Sequence, residues 1–158
     1  MSKSDRSEPA VKPAAGEGVF PDDPPEGYQQ STTRGPFTTH NGPFYHWATD
    51  TDFRHGVRLQ KRHCNSHGIA HGGFLMAFAD GLLGTAVFRE SKAVALTVRM
   101  NTDFLGPARP GEWLEGTARV TRTTRSVAFC EADVFVGERA VLKVSGVFKL
   151  MQRHRVSD

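Results

Sequence analysis

The sequence contains little cysteine and no long apolar run, and each shortage excludes a class of protein. The two cysteines, Cys64 and Cys130, are far apart and in no metal-binding or redox spacing. We therefore expect free thiols in a reducing compartment rather than a disulfide framework. No apolar run near the N-terminus resembles a signal peptide, and the apolar stretch at 72–88 is short and interrupted by Asp80. These absences predict a soluble, cytoplasmic protein that does not bind or span a membrane.

Long blocks of like charge are absent as well, although the charge is unevenly distributed. The net charge is +3, and residues 1–26 contain more acidic than basic groups, so the remainder of the chain is basic. Because these basic residues are dispersed among predicted strands and turns, a phosphate-bearing small molecule is a better predicted partner than a nucleic acid. A cationic surface that serves only solubility explains the charge equally well.

A chain of 158 residues is long enough for one domain with a substantial core. Proline and small polar residues dominate its first part, so the sequence predicts a flexible N-terminal tail at 1–35. Val19 and Phe20 are an exception, because they could anchor part of this tail on the domain. We expect the domain itself at 36–151 and a basic C-terminal tail at 152–158.

Alternating apolar and polar residues predict strands on both sides of one central stretch. Before this stretch a hairpin is expected at 44–60, with its turn at 50–52. After it, four alternating runs predict a four-stranded antiparallel meander. In the first run we expect the apolar residues to share one face of the sheet and the polar residues to share the other. The apolar set is Val94, Leu96, Val98 and Met100, and the polar set is Ala95, Thr97, Arg99 and Asn101.

The central stretch, residues 63–90, predicts one long helix. A polar, glycine-containing loop passes into an apolar segment at 73–89 that is too long for a buried strand and rich in Leu, Met and Ala. Because apolar residues occupy every face, we expect this helix to be enclosed on all sides. Gly81 and Gly84 disfavour a helix, so their presence indicates close packing against a neighbouring backbone. Asp80 is the single carboxylate of the segment.

These elements predict an α+β domain in which a curved antiparallel sheet wraps around one long central helix. A single sheet covers a helix only if it curls around it, and the apolar surface left over should then pair with a second copy. We therefore expect at least a homodimer.

Three features of the sequence together resemble a known family. Asn65 is followed after five residues by His71-Gly72-Gly73, and Asp80 follows after six more. A strand with Thr97 and the turn at 106–108 come next. This pattern resembles the hotdog-fold acyl-CoA thioesterases of the 4-hydroxybenzoyl-CoA thioesterase superfamily, specifically the phenylacetate-degradation type, over residues 42–150. The resemblance implies homodimers, often paired into homotetramers, with active sites at the subunit interface.

The resemblance also implies catalytic roles for four residues. Gly72 corresponds to the glycine whose N–H polarises the thioester carbonyl, and Asp80 to the carboxylate that acts as general base or nucleophile. Asn65 and Thr97 would position the substrate or the attacking water. Physical chemistry independently favours the role of Gly72, because the first N–H groups of a helix lack internal partners and lie at its positive end.

From the residues alone, structural interpretations of the same positions stay open. Gly72 could simply turn the chain into the helix, and Asp80 could be a buried acid paired with the backbone or an arginine. Asn65 could be a turn former, and Thr97 an ordinary strand threonine.

The resemblance suggests further residues for substrate binding. His71 and Gly73 belong to the loop that would shape the oxyanion site, although His71 could equally be structural. Arg99, Arg122 and Arg125, with basic residues of the C-terminal tail, are candidates for the phosphates of coenzyme A. Any one of these arginines could instead be a solvated surface charge.

The predicted reaction is hydrolysis of an aromatic or short- to medium-chain acyl-CoA to the free acid and coenzyme A. No cofactor is predicted, because coenzyme A arrives as part of the substrate. The chief alternative is a non-catalytic acyl-CoA-binding module, and a hotdog dehydratase is disfavoured because no acidic residue pairs with a histidine at that family's spacing.

The same stretch contains candidates for two other kinds of chemistry, metal binding and a cysteine nucleophile. His63, His67 and His71 recur every four residues like metal ligands on a helix, but the intervening glycine and loop-forming residues oppose a helix there, and no metal is predicted. Cys64 beside a histidine could act as a nucleophile, but nothing in the sequence supplies a third, orienting group.

Overall fold

The computed structural model describes residues 19–32 and 35–151. Within these ranges, one antiparallel sheet of seven strands curves around one long helix, which confirms the predicted α+β hotdog fold. In chain order the elements are β1 (Gln29–Gln30), α1 (Pro36–Asn41), β2 (Tyr45–Ala48), β3 (Phe53–Arg58), a 3-10 turn (Lys61–His63), α2 (Gly72–Ser91), β4 (Ala95–Phe104), β5 (Trp113–Thr123), β6 (Val127–Val136) and β7 (Arg139–Leu150). The strand order across the sheet is β1-β2-β3-β5-β6-β7-β4.

Helix α2 buries one face against the sheet and leaves the opposite face open. Its buried residues recur at intervals of three and four, which places them on one side of a helix. They are Leu75, Phe78, Ala79, Leu82, Leu83, Ala86 and Val87. Met76 is 38% exposed and Phe88 54% exposed, so one chain does not enclose the helix. The predicted enclosure on all sides depends on the expected second copy and stays a prediction. One sheet supplies one covering layer, so the second apolar face of the helix has no cover within the described residues.

The strands after the helix do not form the predicted four-stranded meander. β5, β6 and β7 are successive neighbours, but β4 pairs with β7 rather than with β5. The free side of β5 is taken by β3 of the N-terminal hairpin, so β4 occupies the opposite edge of the sheet. Alternation along a strand reports which of its faces is buried and carries no information about its neighbour. β4 is therefore an edge strand of ten residues.

A β-bulge divides β4 into two parts. Odd-numbered side chains face the helix before the bulge, and even-numbered side chains face the core after it. The register with β7 shifts between Thr97 and Arg99, so that Val98 is an extra residue. Thr97 faces the helix before the bulge, and Met100 packs against the core after it. The expectation that the four apolar residues share one face is wrong, because Leu96 and Val98 are 55% and 64% exposed.

Part of the predicted N-terminal tail lies on the domain. Residues 19–32 pack along the sheet, where β1 pairs with β2. The N–H of Phe20 donates to Gln60 Oε1 at 2.9 Å, and Gln60 Nε2 donates to the Phe20 carbonyl at 3.1 Å. The Tyr28 hydroxyl donates to Glu115 Oε2 at 2.6 Å. These few specific contacts hold a segment whose composition offers no apolar core of its own. The division into tails and domain stays a prediction.

Of the predicted tails, residues 1–18, 33–34 and 152–158 lie outside the described residues. None of the helices in the described part of the chain is long and apolar enough to cross a membrane.

Candidate active site

The start of α2 is held by the loop that precedes it. The N–H of His71 donates to the His63 carbonyl at 2.8 Å, and the N–H of Ala70 donates to the Ala108 carbonyl at 2.7 Å. His71 is the N-cap residue, and its Nδ1 accepts from the Gly73 N–H at 2.9 Å. This bond satisfies one of the helix N–H groups that lack internal partners. His71 and Gly73, both predicted to bind substrate, are thus engaged with each other in the helix cap.

Gly72 is the first residue of α2, and its N–H remains available. Among the described residues no hydrogen-bond partner is found for this N–H. A methyl group built at Gly72 would lie 3.2 Å from the ring of Phe104, at the end of β4. Close approach of that ring explains why a glycine stands there. The free N–H points from the positive end of a helix, which suits an oxyanion.

Asp80 lies about two helical turns further along α2 and contacts Thr97 of the edge strand. The Thr97 hydroxyl donates to Asp80 Oδ1 at 2.6 Å, a short, charge-assisted hydrogen bond. Within the described part of the chain, no partner is found for Oδ2 of the same carboxylate. One oxygen of Asp80 is therefore oriented by a neighbour, and the other is left for a ligand or water.

Asn65 shapes the loop ahead of the helix. Its Oδ1 accepts from the His67 N–H at 2.9 Å, and its backbone N–H donates to the Ile69 carbonyl at 2.9 Å. The backbone N–H of Gly68 donates a hydrogen bond to the Asn65 carbonyl at 3.0 Å, which closes a tight turn. The oxygen end of the side-chain amide is thus occupied by the loop, and a role toward substrate would fall to its NH2 end.

The three arginines proposed to bind phosphates do not meet at Asp80 within one chain. Arg99 is exposed and lies on the outer face of the sheet, next to the inward-facing Met100. Arg122 and Arg125 are exposed near the turn between β5 and β6, and Arg125 lines a surface pocket together with Ser91 at the C-terminal end of α2. Their role toward coenzyme A stays a prediction.

His63 is a buried residue of the same loop that sequence reasoning considered only as a metal ligand. Its side chain is 2% exposed, its Nδ1 accepts from the Gln60 N–H at 3.1 Å, and its ring stacks on Phe74 with 4.1 Å between centroids. Burial and the neighbouring Arg62 cation lower the pKa of His63 to about 4. A neutral imidazole therefore supports the first turn of α2.

Comparison with known proteins identifies the family. Residues 67–143 match the family model described as the thioesterase superfamily. A Pseudomonas aeruginosa protein whose name marks it as a candidate esterase is 39% identical over 129 residues, which cover 80% of this chain and 96% of that protein. The chain belongs to the thioesterase superfamily.

Two further matches are more distant. Mouse acyl-coenzyme A thioesterase 13 is 28% identical over 79 residues, covering 49% of this chain and 56% of that protein. The structure of a mutant of the phenylacetic acid degradation protein PaaI from Thermus thermophilus superposes with a TM-score of 0.67 at 23% identity. The superposition covers 74% of this chain and all of the PaaI chain, and shows that the two share a fold.

This member of the superfamily also has a cavity that sequence reasoning missed. A space of about 570 Å³ lies along Gly81, the residue that follows Asp80, and Gly84 of α2. Its opposite wall carries His46 of β2 and His55 of β3, which lie directly opposite each other in the sheet. The Ser31 hydroxyl lies 3.0 Å from His46 Nδ1. The cavity is within the size range of small-molecule sites.

Proposed function

We propose that this chain hydrolyses acyl-CoA thioesters to the free acid and coenzyme A. The observation that carries the proposal is the Asp80 carboxylate with one oxygen held by Thr97 and one left open, on the uncovered face of α2. A carboxylate held in this way can accept a proton from a water molecule as that water attacks the thioester carbon. Membership of the thioesterase superfamily and the likeness to an acyl-coenzyme A thioesterase support this reaction.

In this mechanism, the carbonyl oxygen of the thioester accepts a hydrogen bond from the Gly72 N–H. Negative charge develops on that oxygen when water adds, and the helix N-terminus stabilises it without reorganising. The tetrahedral intermediate then expels the thiolate of coenzyme A, which leaves as the thiol after protonation. The cap formed by His71 and Gly73 keeps the first turn in the geometry that presents this N–H.

The mechanism requires two copies of the chain. Gly72 and Asp80 are eight positions apart, which corresponds to about 12 Å along the helix axis. This distance is too great for both residues of one chain to contact the same reacting thioester group. A second copy related by a two-fold axis would bring its Gly72 to the Asp80 of the first. The open face of α2 and the edge strand β4 both leave surface that a second copy can cover.

The test is thiol release from short, medium, aromatic and long acyl-CoAs by the wild type and Asp80→Asn. Asparagine preserves the shape of the side chain and removes its basicity, so we expect kcat to fall by roughly 10² to 10⁴. Asp133→Asn is the matched control, because Asp133 is an exposed aspartate on β6 whose nearest cation, Lys143, is 4.0 Å away. Its kcat should match that of the wild type.

Two results would contradict the proposal in different ways. Binding of these esters without any thiol release by the wild type would identify a non-catalytic acyl-CoA-binding module. A full rate in Asp80→Asn would leave the activity standing and remove Asp80 from the mechanism.

A further inference from the structure

The cavity beyond Asp80 has one wall of small residues and one polar wall. Gly81 and Gly84 line it from the helix, and Ala95 lines it from β4, two residues before Thr97. Apart from its chain neighbours and the helix's own backbone, the nearest atom to a methyl group built at Gly84 would be in the Phe148 ring at 3.9 Å, so the close packing predicted for this glycine is not found. The small residues leave a space whose lining includes Gly81, the residue after Asp80, and Ala95, which precedes Thr97 on β4.

The polar wall is rich in hydrogen-bond donors. His46 and His55 form a cross-strand pair on the face of the hairpin that looks toward α2, and such pairs stand about 5 Å apart at Cβ. His55 is 4% exposed. The Ser31 hydroxyl meets His46 Nδ1 at 3.0 Å, and if it donates to that nitrogen, the ring proton stays on Nε2 as a donor.

A fixed positive charge completes this wall. Arg89 of α2 lines the cavity and donates to the Thr49 carbonyl at 2.7 Å, while its guanidinium lies 5.3 Å from the centre of the Phe53 ring. These contacts hold the guanidinium against the turn at 49–52, where Arg89 also borders a second surface pocket with Asp50, Asp52 and Glu90. Among the described residues that line the space, none is acidic. Guanidinium and imidazole side chains on one wall can bind an anion or another strong hydrogen-bond acceptor.

We propose that this cavity receives the acyl part of the substrate and selects acyl groups whose far end carries a carboxylate. The proposal rests on the proposed thioesterase function, because it assumes that the reacting carbonyl lies at Asp80. An incoming carboxylate is matched by His46 and Arg89, with His55 beside them.

The test compares kcat/KM for acyl-CoAs of equal length with and without a terminal carboxylate. Suitable pairs are glutaryl with pentanoyl, adipoyl with hexanoyl, and suberoyl with octanoyl. In the wild type we expect at least one dicarboxylyl ester to exceed its plain partner by about tenfold or more, the usual effect of one hydrogen bond to a charged group. His46→Phe keeps a planar ring in a strand position and removes both nitrogens, so this ratio should collapse toward one while hydrolysis of the plain ester continues.

His40→Phe is the control, because His40 is exposed at the end of α1 and does not line the cavity. Its ratio should equal that of the wild type. A wild type that hydrolyses plain esters as well as or better than dicarboxylyl esters at every length overturns the inference, even if His46→Phe fails to fold. An equal fall for both esters in His46→Phe also overturns it, since it shows a purely structural histidine. No hydrolysis of any ester would instead remove the proposed function.

Discussion

At the scale of single residues, the candidate chemistry depends on which polar atoms the fold has already used. The Gly73 N–H is bonded to His71, whereas no partner is found for the Gly72 N–H in the described part of the chain. Asp80 shows the same division, with Oδ1 bonded to Thr97. The capping bond and the hydroxyl contact hold two reactive groups in position without consuming them. The pattern of residue types indicates which residues carry these groups, but only the structure shows which of their atoms remain available for a ligand.

His63 makes the stability of the fold depend on pH. In the folded chain the pKa of His63 is lowered to about 4, whereas an unfolded histidine has a pKa near 6.5. Between these two pH values the unfolded state therefore binds an extra proton. The contribution of His63 to the free energy of unfolding is fully present above pH 6.5 and is lost as the pH decreases toward 4. Between pH 7 and pH 5 we expect a loss of about 2 kcal/mol from this residue.

Urea unfolding of the wild type and of His63→Phe at both pH values measures this contribution. Phenylalanine keeps a ring against Phe74 and takes up no proton, so His63→Phe should lose about 2 kcal/mol less than the wild type between pH 7 and pH 5. His67→Phe, at an exposed position in the same loop, should keep the wild-type dependence. An identical fall of unfolding free energy in wild type and His63→Phe would contradict the assignment.

At the scale of elements, the bulge in β4 changes which side chains of the strand face α2. Regular alternation would place every apolar residue of this run on one face. The extra residue Val98 allows Thr97 to face Asp80 while Met100 returns to the core. Bulges commonly re-aim side chains beside active sites. The sequence does not predict a bulge of one residue, because the bulge is stabilised by how β4 fits against β7 and α2 and not by the residues of β4 alone.

The hairpin of β2 and β3 shows how close sequence reasoning came to the second wall of the cavity. A turn at 50–52 between two strands was predicted, and the observed pairing of Ala48 with Phe53 centres the hairpin between residues 50 and 51. That centre places His46 opposite His55. The pair could be found from the sequence once the centre of the turn is known to within one residue, which is finer than turn signals allow.

The N-terminal segment at 19–32 should contribute measurably to stability through Phe20. The Phe20 ring lies over Gly111, where a methyl group would come within 2.9 Å of it. Phe20→Ala removes this half-buried contact and should lower the free energy of unfolding by about 1 to 2 kcal/mol. Denaturant unfolding measures the change. Val19→Ala is the control, because Val19 is 90% exposed and should change stability little.

Equal stability of Phe20→Ala and the wild type would mean that the segment does not hold to the domain through this ring. A comparable loss in Val19→Ala would point instead to a general effect of shortening apolar side chains in this segment.

At the scale of the whole molecule, a single chain presents an incomplete surface. The edge strand β4 exposes Leu96 and Val98, and α2 exposes Met76 and Phe88. Long, apolar edge strands are aggregation-prone unless another element covers them. A second copy that covers this edge and the open face of α2 would also complete each proposed site, so assembly and catalysis become one requirement.

Subunit mixing tests this requirement directly. Asp80→Asn removes the base, and Gly72→Ala places a methyl group against Phe104 and disturbs the N–H that would hold the oxyanion. Each variant alone should be nearly inactive. In a two-fold dimer, a mixed pair has one intact site, so random exchange of equal amounts should restore about one quarter of wild-type activity.

The measurement is thiol release after the two variants are unfolded together and refolded, with exchange verified by mass spectrometry of the intact dimers. Mixing wild type with either variant shows that the procedure itself preserves activity. Mixed dimers that form without any restored activity would place both groups of a site in the same chain.

The sequence by itself determined the class of fold, the long helix and the identity of the acid within it. These follow from the period of apolar residues and from the rarity of a carboxylate in an apolar segment, both of which are local properties of the chain. Only the tertiary structure decided that β4 lies at the edge beside β7, that Thr97 meets Asp80, and that the N-terminal segment covers the sheet. Each of these depends on contacts between residues distant in sequence, whose free energy is set by the shape of the assembled core rather than by any local pattern.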